Sequence, residues 1–293
     1  MENIFIRMPN SLGCSVAATA VIFSVLRKYP DSKIFISTKY PEMLASLHGY
    51  GRVTIYSTMQ NDEFPFHVDL RAYTARRPHN SEPYRPSYIH MLEMAEEQLS
   101  VKLPIFKPKV ILSAQEKLWA KKEVAKYDKP VIWVQTRTTT DNRNWDETRW
   151  KGVIEKFSPQ YKFVDLSASG YTIRQSMAIT IFSAAGICLD SFLVHGSAAV
   201  GAQNVLVLLG SSRPECVTYP NQRYLYIETC SSQPCGMHGY YNGCRVVDND
   251  KFISNSLCIH GRYECMNSIP TELVISELQK LLNLKEQHSG YDK

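Results

Sequence analysis

Short apolar runs alternate with amphipathic ones along the first third of the chain. NIFIR at 3–7, KIFIST at 33–38 and RVTIYS at 52–57 have the length and β-branched content of buried strands. Between them, AATAVIFSVLRKYP at 17–30 sets Val21, Val25 and Leu26 on one helical face and stops at Pro30. PEMLASLHGYG at 41–51 reads as a short helix ending on glycine. Strand, helix, strand, helix, strand predicts a parallel sheet with right-handed crossovers. The pattern breaks at 71–87, RAYTARRPHNSEPYRPS, a long loop rich in proline and arginine. SYIHMLEMAEEQLSV at 87–101 returns to helix, and VKLPIFKPKVILS at 101–113 is extended, the expected passage between domains.

The second part repeats the logic. QEKLWAKKEVAKY is a lysine-rich helix, PVIWVQT at 130–136 a strand, and WDETRWKGVIEKF a helix with Trp150, Val153, Ile154 and Phe157 on one face. KFVDLS, GICLDS and NVLVLLG read as strands, TIRQSMAITIFSAA as a helix, VHGSAAVGA as a helix start, and ELVISELQKLLNLK as a closing amphipathic helix. The fold class is therefore α/β, with two Rossmann-like doubly wound domains facing a cleft. The expected division is 1–112 and 113–293, the second part carrying a cysteine-rich segment at 230–265.

Ligands in such sheets sit beyond the carboxyl ends of the strands. That directs attention to four loops: PNSLGCS, TRTTTDNRNW, LDSFLVHGS and LGSSRPE. In the second, three consecutive threonines precede Arg143, a set that suits a diphosphate; the alternative is a polar loop with a surface ion pair. In the third, Ser191 is placed to cap a helix, Asp190 to orient the turn, and His195 to lie one turn on, as an anion donor or a core histidine. In the fourth, Gly210 permits close backbone approach, Ser211 and Ser212 offer hydroxyls, and Arg213 offers a cation.

Composition narrows the class. The 293 residues are 44% hydrophobic and 21% charged, as in a globular protein with real cores. No run approaches the roughly 18 apolar residues of a membrane span, and no secretory signal is read at the N-terminus, which predicts a cytoplasmic protein. The net charge of +5 is a mild pointer to an anionic partner. A nucleotide, a phosphorylated glycan or an anionic membrane surface each fits. Nucleic acid is not expected, because no basic run interleaves with aromatics. The arginines of the long loop, Arg71, Arg76, Arg77 and Arg85, suit a phosphorylated glycan or a solvated loop equally.

Five of eight cysteines, Cys230, Cys235, Cys244, Cys258 and Cys265, fall in one window with His238 and His260 between them. In a reducing compartment that clustering reads as a structural zinc or iron site, with unrelated buried thiols or disulfides as the alternatives. Cys235, Cys244, Cys258 and Cys265 are the expected ligands, and Cys230 the spare.

Taken together, RMPNSLGCSVAATAVIFSVLRKYP, TRTTTDNRNWDETRW, LDSFLVHGSAAVGA and LLGSSRPE resemble, in order and wording, the motifs of the lipopolysaccharide heptosyltransferase family, glycosyltransferase family 9. Cys265, Met266, Ile269 and Val274 also follow the family pattern. The resemblance covers nearly the whole chain. It implies a GT-B fold and an inverting transfer of a sugar, heptose, from an ADP-sugar to an acceptor hydroxyl on a glycan or protein. It further implies that Gly13, Thr138, Thr139, Arg143, Asp190, Ser191, His195, Gly210 and Ser211 line the nucleotide-sugar site, with no metal at the diphosphate. Peripheral contact with a membrane is a further implied partner. The cysteine window is similar to that of autotransporter-type members, whose cysteines hold iron. One departure stands out. The first-loop aspartate that serves the family as general base is replaced by Cys14. Asp69, His67 and Cys14 itself are the candidate bases, and a non-catalytic nucleotide-sugar-binding relative is the alternative function.

Overall fold

The computed structural model describes residues 2–57, 65–71, 73, 83–231, 233–235, 240–241, 244–245, 247–248, 251–252, 258 and 263–289. Two parallel sheets dominate it. The first is built from β1 (Asn3–Arg7), β2 (Lys33–Thr38), β3 (Val53–Ser57) and β4 (Val68–Asp69), in the order β3-β2-β1-β4. Ile4, Ile6, Ile34 and Ile36 alternate into the core, so a single register fits, with Phe5 opposite Phe35. Helix α1 (Leu12–Lys28) and helix α2 (Ser87–Leu99) belong to this half, and Pro41–Leu47 forms a 3-10 helix where a short helix was expected. Helix α1 starts five residues earlier than its apolar pattern suggests. Gly13 and Cys14 therefore lie in its first turn and not in a free loop.

The second sheet contains β5 (Val131–Val134), β6 (Lys162–Asp165), β7 (Ala185–Leu189), β8 (Val205–Leu209) and β9 (Gln222–Tyr226), ordered β6-β5-β7-β8-β9. β5, β7 and β8 are buried along their whole length, as parallel strands covered on both faces must be. Gly186 of β7 has no alternative: a Cβ there would lie 1.8 Å from Cε2 of the buried Trp133 indole. Helices α3 (Ala114–Val124), α4 (Glu147–Phe157), α5 (Ile173–Phe182), α6 (Phe192–Ala199) and α7 (Pro214–Val217) connect these strands. Ser113 with Glu116 and Thr172 with Gln175 form capping boxes on α3 and α5, and Asp146 caps α4. Helices α8 (Glu264–Asn267) and α9 (Thr271–Ser289) follow two short hairpins, and α9 packs on α4.

The segment 101–113 has no regular structure. It is nonetheless fastened. Lys109 N–H donates to Thr19 Oγ1 of α1 at 3.0 Å, and Val110 N–H donates to the Ala199 carbonyl of α6, also at 3.0 Å. Arg174 of α5 donates to the Ile111 carbonyl at 2.9 Å, to the Glu42 carbonyl of the first half at 2.8 Å, and to Glu116. Helix α1 lies directly on α6, and one apolar core runs from Ile4 and Ile22 through Leu193 and Val194 to Trp133 and Val207. A second core, around Trp145, Trp150, Met266 and Leu278, fills the far side of the second sheet. Among the described residues, no helix is long and apolar enough to cross a membrane.

Candidate functional site

Each sheet reverses its strand order once: between β1 and β4 in the first, and between β5 and β7 in the second. Crevices open beyond the carboxyl ends at such points. The residues after β5 and β7 carry most of the chemistry expected from the sequence.

The loop after β5 closes on itself. Thr138 donates its N–H to Asn144 Oδ1 at 2.7 Å, and its hydroxyl reaches the Thr140 carbonyl at 2.8 Å. Arg143 is buried beneath it. Its Nε donates to Thr140 Oγ1 at 2.6 Å, one terminal nitrogen to Thr139 Oγ1 at 3.1 Å, and the other to the Asp190 carbonyl at 2.5 Å. The guanidinium therefore spans the crevice from the β5 loop to the end of β7. Burial lowers its pKa, while the charge of Asp190 and the Cys14 thiol work the other way. Three of its five N–H groups have acceptors among the described residues, so the fork is only partly used. Among the described residues, Gln135 Oε1 and Asn142 Oδ1 of the β5 loop region and Ser211 Oγ after β8 are buried without a hydrogen-bond partner. Buried polar atoms of this kind are costly unless something completes them.

Asp190 is also buried and accepts from the Ser212 hydroxyl at 2.7 Å, which ties the end of β7 to the loop after β8. Ser191 occupies the N-cap of α6, but its side chain makes no capping bond, contrary to the role expected of it. Its φ of −155° is extended backbone, the usual conformation of an N-cap residue. His195, buried inside α6, places Nδ1 2.8 Å from the Tyr219 hydroxyl. Gly13 meets it from the other half: a Cβ there would lie 3.2 Å from His195 Cδ2 and 3.5 Å from Phe192 Cα. The first turns of α1 and α6 thus face each other. Neither has a side-chain cap or an acidic residue, whereas α3, α4 and α5 are all capped. Each helix start carries about +0.5 charge. Two such ends and Arg143 gather positive charge around the Asp190 carboxylate.

The candidate bases separate. Cys14 lies in the field of Asp190 and Arg143, so it does reach the crevice, but burial pushes its thiol up to about 11. A thiol in that state is neutral near pH 7 and takes no proton. His67 accepts the Phe5 N–H at its Nδ1, 3.1 Å away, and stacks on the Phe5 ring, so that lone pair is spent on β1. Asp69 ends β4 in register with Arg7, at the reversal point of the first sheet. Burial opposes its charge, but hydrogen bonds from Arg71 and the charges of Arg71 and Arg7 outweigh it and hold the carboxyl below its ordinary value.

The loop after β8 makes a close approach at Gly210, as its sequence allows. Close backbone approach at Gly210 serves packing: a Cβ would lie 2.8 Å from Cys265 Sγ and 2.9 Å from Met266. That side of Gly210 is filled by Cys265 and Met266 of α8. Arg213 lies over the Tyr84 and Tyr226 rings, with centroids at 5.1 and 5.6 Å, and pairs with Glu228.

Of the expected metal ligands, the Cys244 side chain lies outside the described residues, as do His238, His260, Arg76 and Arg77. The Cys235 thiol is pushed up to about 12 by burial and then by Cys265, Cys258 and Cys230, so four thiols share one neighbourhood and Cys230 belongs to it. Among the described residues, no three such side chains are placed to hold an ion. Tyr219 was not singled out from the sequence. Its only signal would have been an aromatic following the GSSRPE turn, and nothing there points to His195.

No protein-family model matches the chain, and no curated protein sequence does. Solved structures do. The E. coli ADP-heptose lipopolysaccharide heptosyltransferase II matches with a TM-score of 0.66 and 14% identity over 98% of this chain and 100% of that one. A family 9 glycosyltransferase from Veillonella parvula gives 0.65 and 13% over 96% and 97%. The iron-containing dodecameric glycosyltransferase TibC from enterotoxigenic E. coli gives 0.66 and 14% over 96% of this chain and 76% of that one. The chain therefore has the GT-B fold of these glycosyltransferases.

Proposed function

We propose that the chain is an inverting glycosyltransferase of the family 9 type, moving a sugar from an ADP-sugar to an acceptor hydroxyl on a glycan or protein. The observation that carries this reading is the meeting of two uncapped, acid-free helix starts with Arg143 at the crevice. Such an arrangement stabilises a departing diphosphate without a metal ion. Heptose is the proposed sugar, supported by the similarity to TibC, one structure of which is a complex with ADP-D-β-D-heptose. Thr138, Thr139 and Arg143 form the diphosphate loop. Gly13, Asp190, Ser191 and His195 form the opposing wall, and Ser211 lends its unpartnered hydroxyl. Gly210 supports that wall by admitting α8.

In the transfer, the acceptor oxygen attacks the anomeric carbon, the bond to the diphosphate breaks with its electron pair, and the acceptor proton goes to a base. Asp69 fits that role better than Cys14, being ionised and at the reversal point of the first sheet. Full-length protein incubated with ADP-heptose and candidate acceptors should release ADP. The neutral thiol at Cys14 favours a second reading, a binding relative that holds the donor without turning it over. ADP-sugar binding with no ADP release across all acceptors would select that reading, and no binding at all would reject both.

Two partners complete the proposal. The first is a structural zinc or iron held by cysteine thiolates near Cys235 and Cys265, supported by the crowding of thiols there. Elemental analysis finding neither metal in the purified protein would remove it. The second is a cytoplasmic membrane surface. Ile105 and Phe106 are exposed on the linker beside the exposed Lys107 and Lys109, a combination suited to anionic lipid. Sedimentation with phosphatidylserine vesicles should carry down the protein, and Phe106→Asp should reduce that fraction.

A further inference from the structure

Other glutamines of this fold use both ends of the amide. Gln98 accepts the Asp69 N–H and donates to the Met94 carbonyl. Gln222 accepts the Tyr219 N–H and donates to the Val194 carbonyl. Gln233 accepts the Cys230 N–H and donates to the Gly210 carbonyl. Gln135 departs from this habit. It is 4% exposed, its Oε1 is buried without a hydrogen-bond partner, and among the described residues its amide makes no bond at either end. A primary amide offers two donors and two acceptor lone pairs, and burying it with none of them used is costly. Packing alone gives no reason for glutamine here, since an apolar side chain of the same length would fill the space without that cost.

The strand fixes where the amide lies. Val131 and Trp133 of β5 point into the core shared with Leu193 and Val194 of α6, and Ile132 and Val134 into the core behind the sheet. Gln135 keeps to the sheet, donating its N–H to the Ile187 carbonyl at 2.9 Å, so its side chain follows Trp133 on the α6 face. Trp133 pairs with Gly186, which sets Gln135 level with Cys188, one rung below Asp190. The sheet reverses its order between these two strands, and at their carboxyl ends Arg143 bridges from the β5 loop to the Asp190 carbonyl. The idle amide therefore lies at the floor of the crevice.

The chemistry of an amide narrows what completes it. A phosphate oxygen only accepts, so it cannot satisfy Oε1. A hydroxyl both donates and accepts, and it satisfies the buried end of the amide whichever way the amide is turned. We infer that Gln135 is a specificity-determining residue whose amide takes a hydroxyl of the bound nucleotide sugar, from the ribose or from the transferred sugar. The identity of that ligand rests on the glycosyltransferase reading. A site that commits a buried amide to a hydroxyl discriminates against ligands lacking it, because they leave the amide stranded.

The test is calorimetric titration of full-length wild type and Gln135→Met with ADP-heptose, ADP, and ADP lacking its ribose 2′- or 3′-hydroxyl. Methionine keeps the length of the side chain and removes both polar ends; Gln135→Leu serves if that variant does not fold. The substitution should leave the urea midpoint of the free protein unchanged or raised, and should weaken ADP-heptose binding about ten-fold. If ADP weakens by the same factor, and wild type alone discriminates against a deoxy form, the hydroxyl is the ribose's. If both proteins bind ADP equally, it belongs to the transferred sugar. Equal affinity of the two proteins for ADP-heptose overturns the inference. So does a loss of ADP affinity when wild type tolerates both deoxy forms, which assigns the amide to the base. A variant that loses stability but keeps its affinity marks an amide completed by buried water, and overturns it too. In each of these failures the wild type still binds. A wild type that binds neither ADP-heptose nor ADP instead rejects the glycosyltransferase reading, and the inference with it.

Discussion

Removing the Arg174 guanidinium measures how firmly the two halves are tied. Arg174 donates to Glu116 at 2.5 and 2.7 Å and to the carbonyls of Glu42 and Ile111. The hydrogen bond from Arg174, helped by those from Ser113 and opposed by burial, brings the Glu116 carboxyl from 4.5 to about 2. Taken in full, that drop equals about 3.4 kcal/mol at 1.36 kcal/mol per unit. Glu116 is part-exposed, and screening reduces the realised share to about 1–2 kcal/mol. Two carbonyls losing a donor add about 1 kcal/mol. Arg174→Ala should therefore lower stability by about 2–3 kcal/mol at neutral pH, read by urea unfolding. The sign with pH follows from the depressed carboxyl. Its contribution is complete above the unfolded pKa, near 4.5, and fades as pH falls toward 2. The gap between wild type and Arg174→Ala should narrow over that window until only the carbonyl share remains. A gap of the same size at neutral pH and at about pH 2.5 would refute the assignment to Glu116.

Three further outcomes are expected. Gly210→Ala drives a Cβ against Cys265 and Met266 and should cost about 1–3 kcal/mol in chemical unfolding. Cys14→Ala should leave any ADP release within about two-fold of wild type, because a thiol held near 11 stays protonated at neutral pH and accepts no further proton; a hundred-fold loss would restore Cys14 as a base. Asp69→Asn should lower turnover by about 10²-fold or more while ADP-heptose affinity measured by calorimetry is unchanged, and equal loss of both would show that the carboxylate serves binding.

The strands were legible because their apolar runs are short, β-branched and bounded by turn residues, as in VIWV and VLVLL. β9 escaped notice: QRYLY buries only Gln222 and Leu225 and carries the exposed Tyr224, a weak edge pattern. The early start of α1 was hidden because Leu12, Gly13 and Cys14 bury a mixed set against α6, which only the second half supplies. In the site, the residue types after β5 and β7 were readable from spacing. Their bonds were not. The Arg143 contact with the Asp190 carbonyl crosses 47 positions, and the His195 contact with Tyr219 crosses 24. Gly210 carries a related lesson: tolerance for close approach is visible in sequence, but what packs there, Cys265 and Met266, is not.

The apolar core that passes from the first sheet through α1 and α6 into the second has a thermodynamic consequence. Chains with two sheets ordinarily melt in steps, each half losing its own interior. Here Ile22 and Leu193 belong to the same interior, so neither half can expose its side chains without opening its neighbour's. A single calorimetric transition is expected, with the measured enthalpy equal to the van't Hoff value. The same continuity bears on how the polypeptide matures at the ribosome. The first hundred residues emerge with one face of α1 still waiting for α6, and they gain their full stability only when Leu193 and Val194 arrive to cover it.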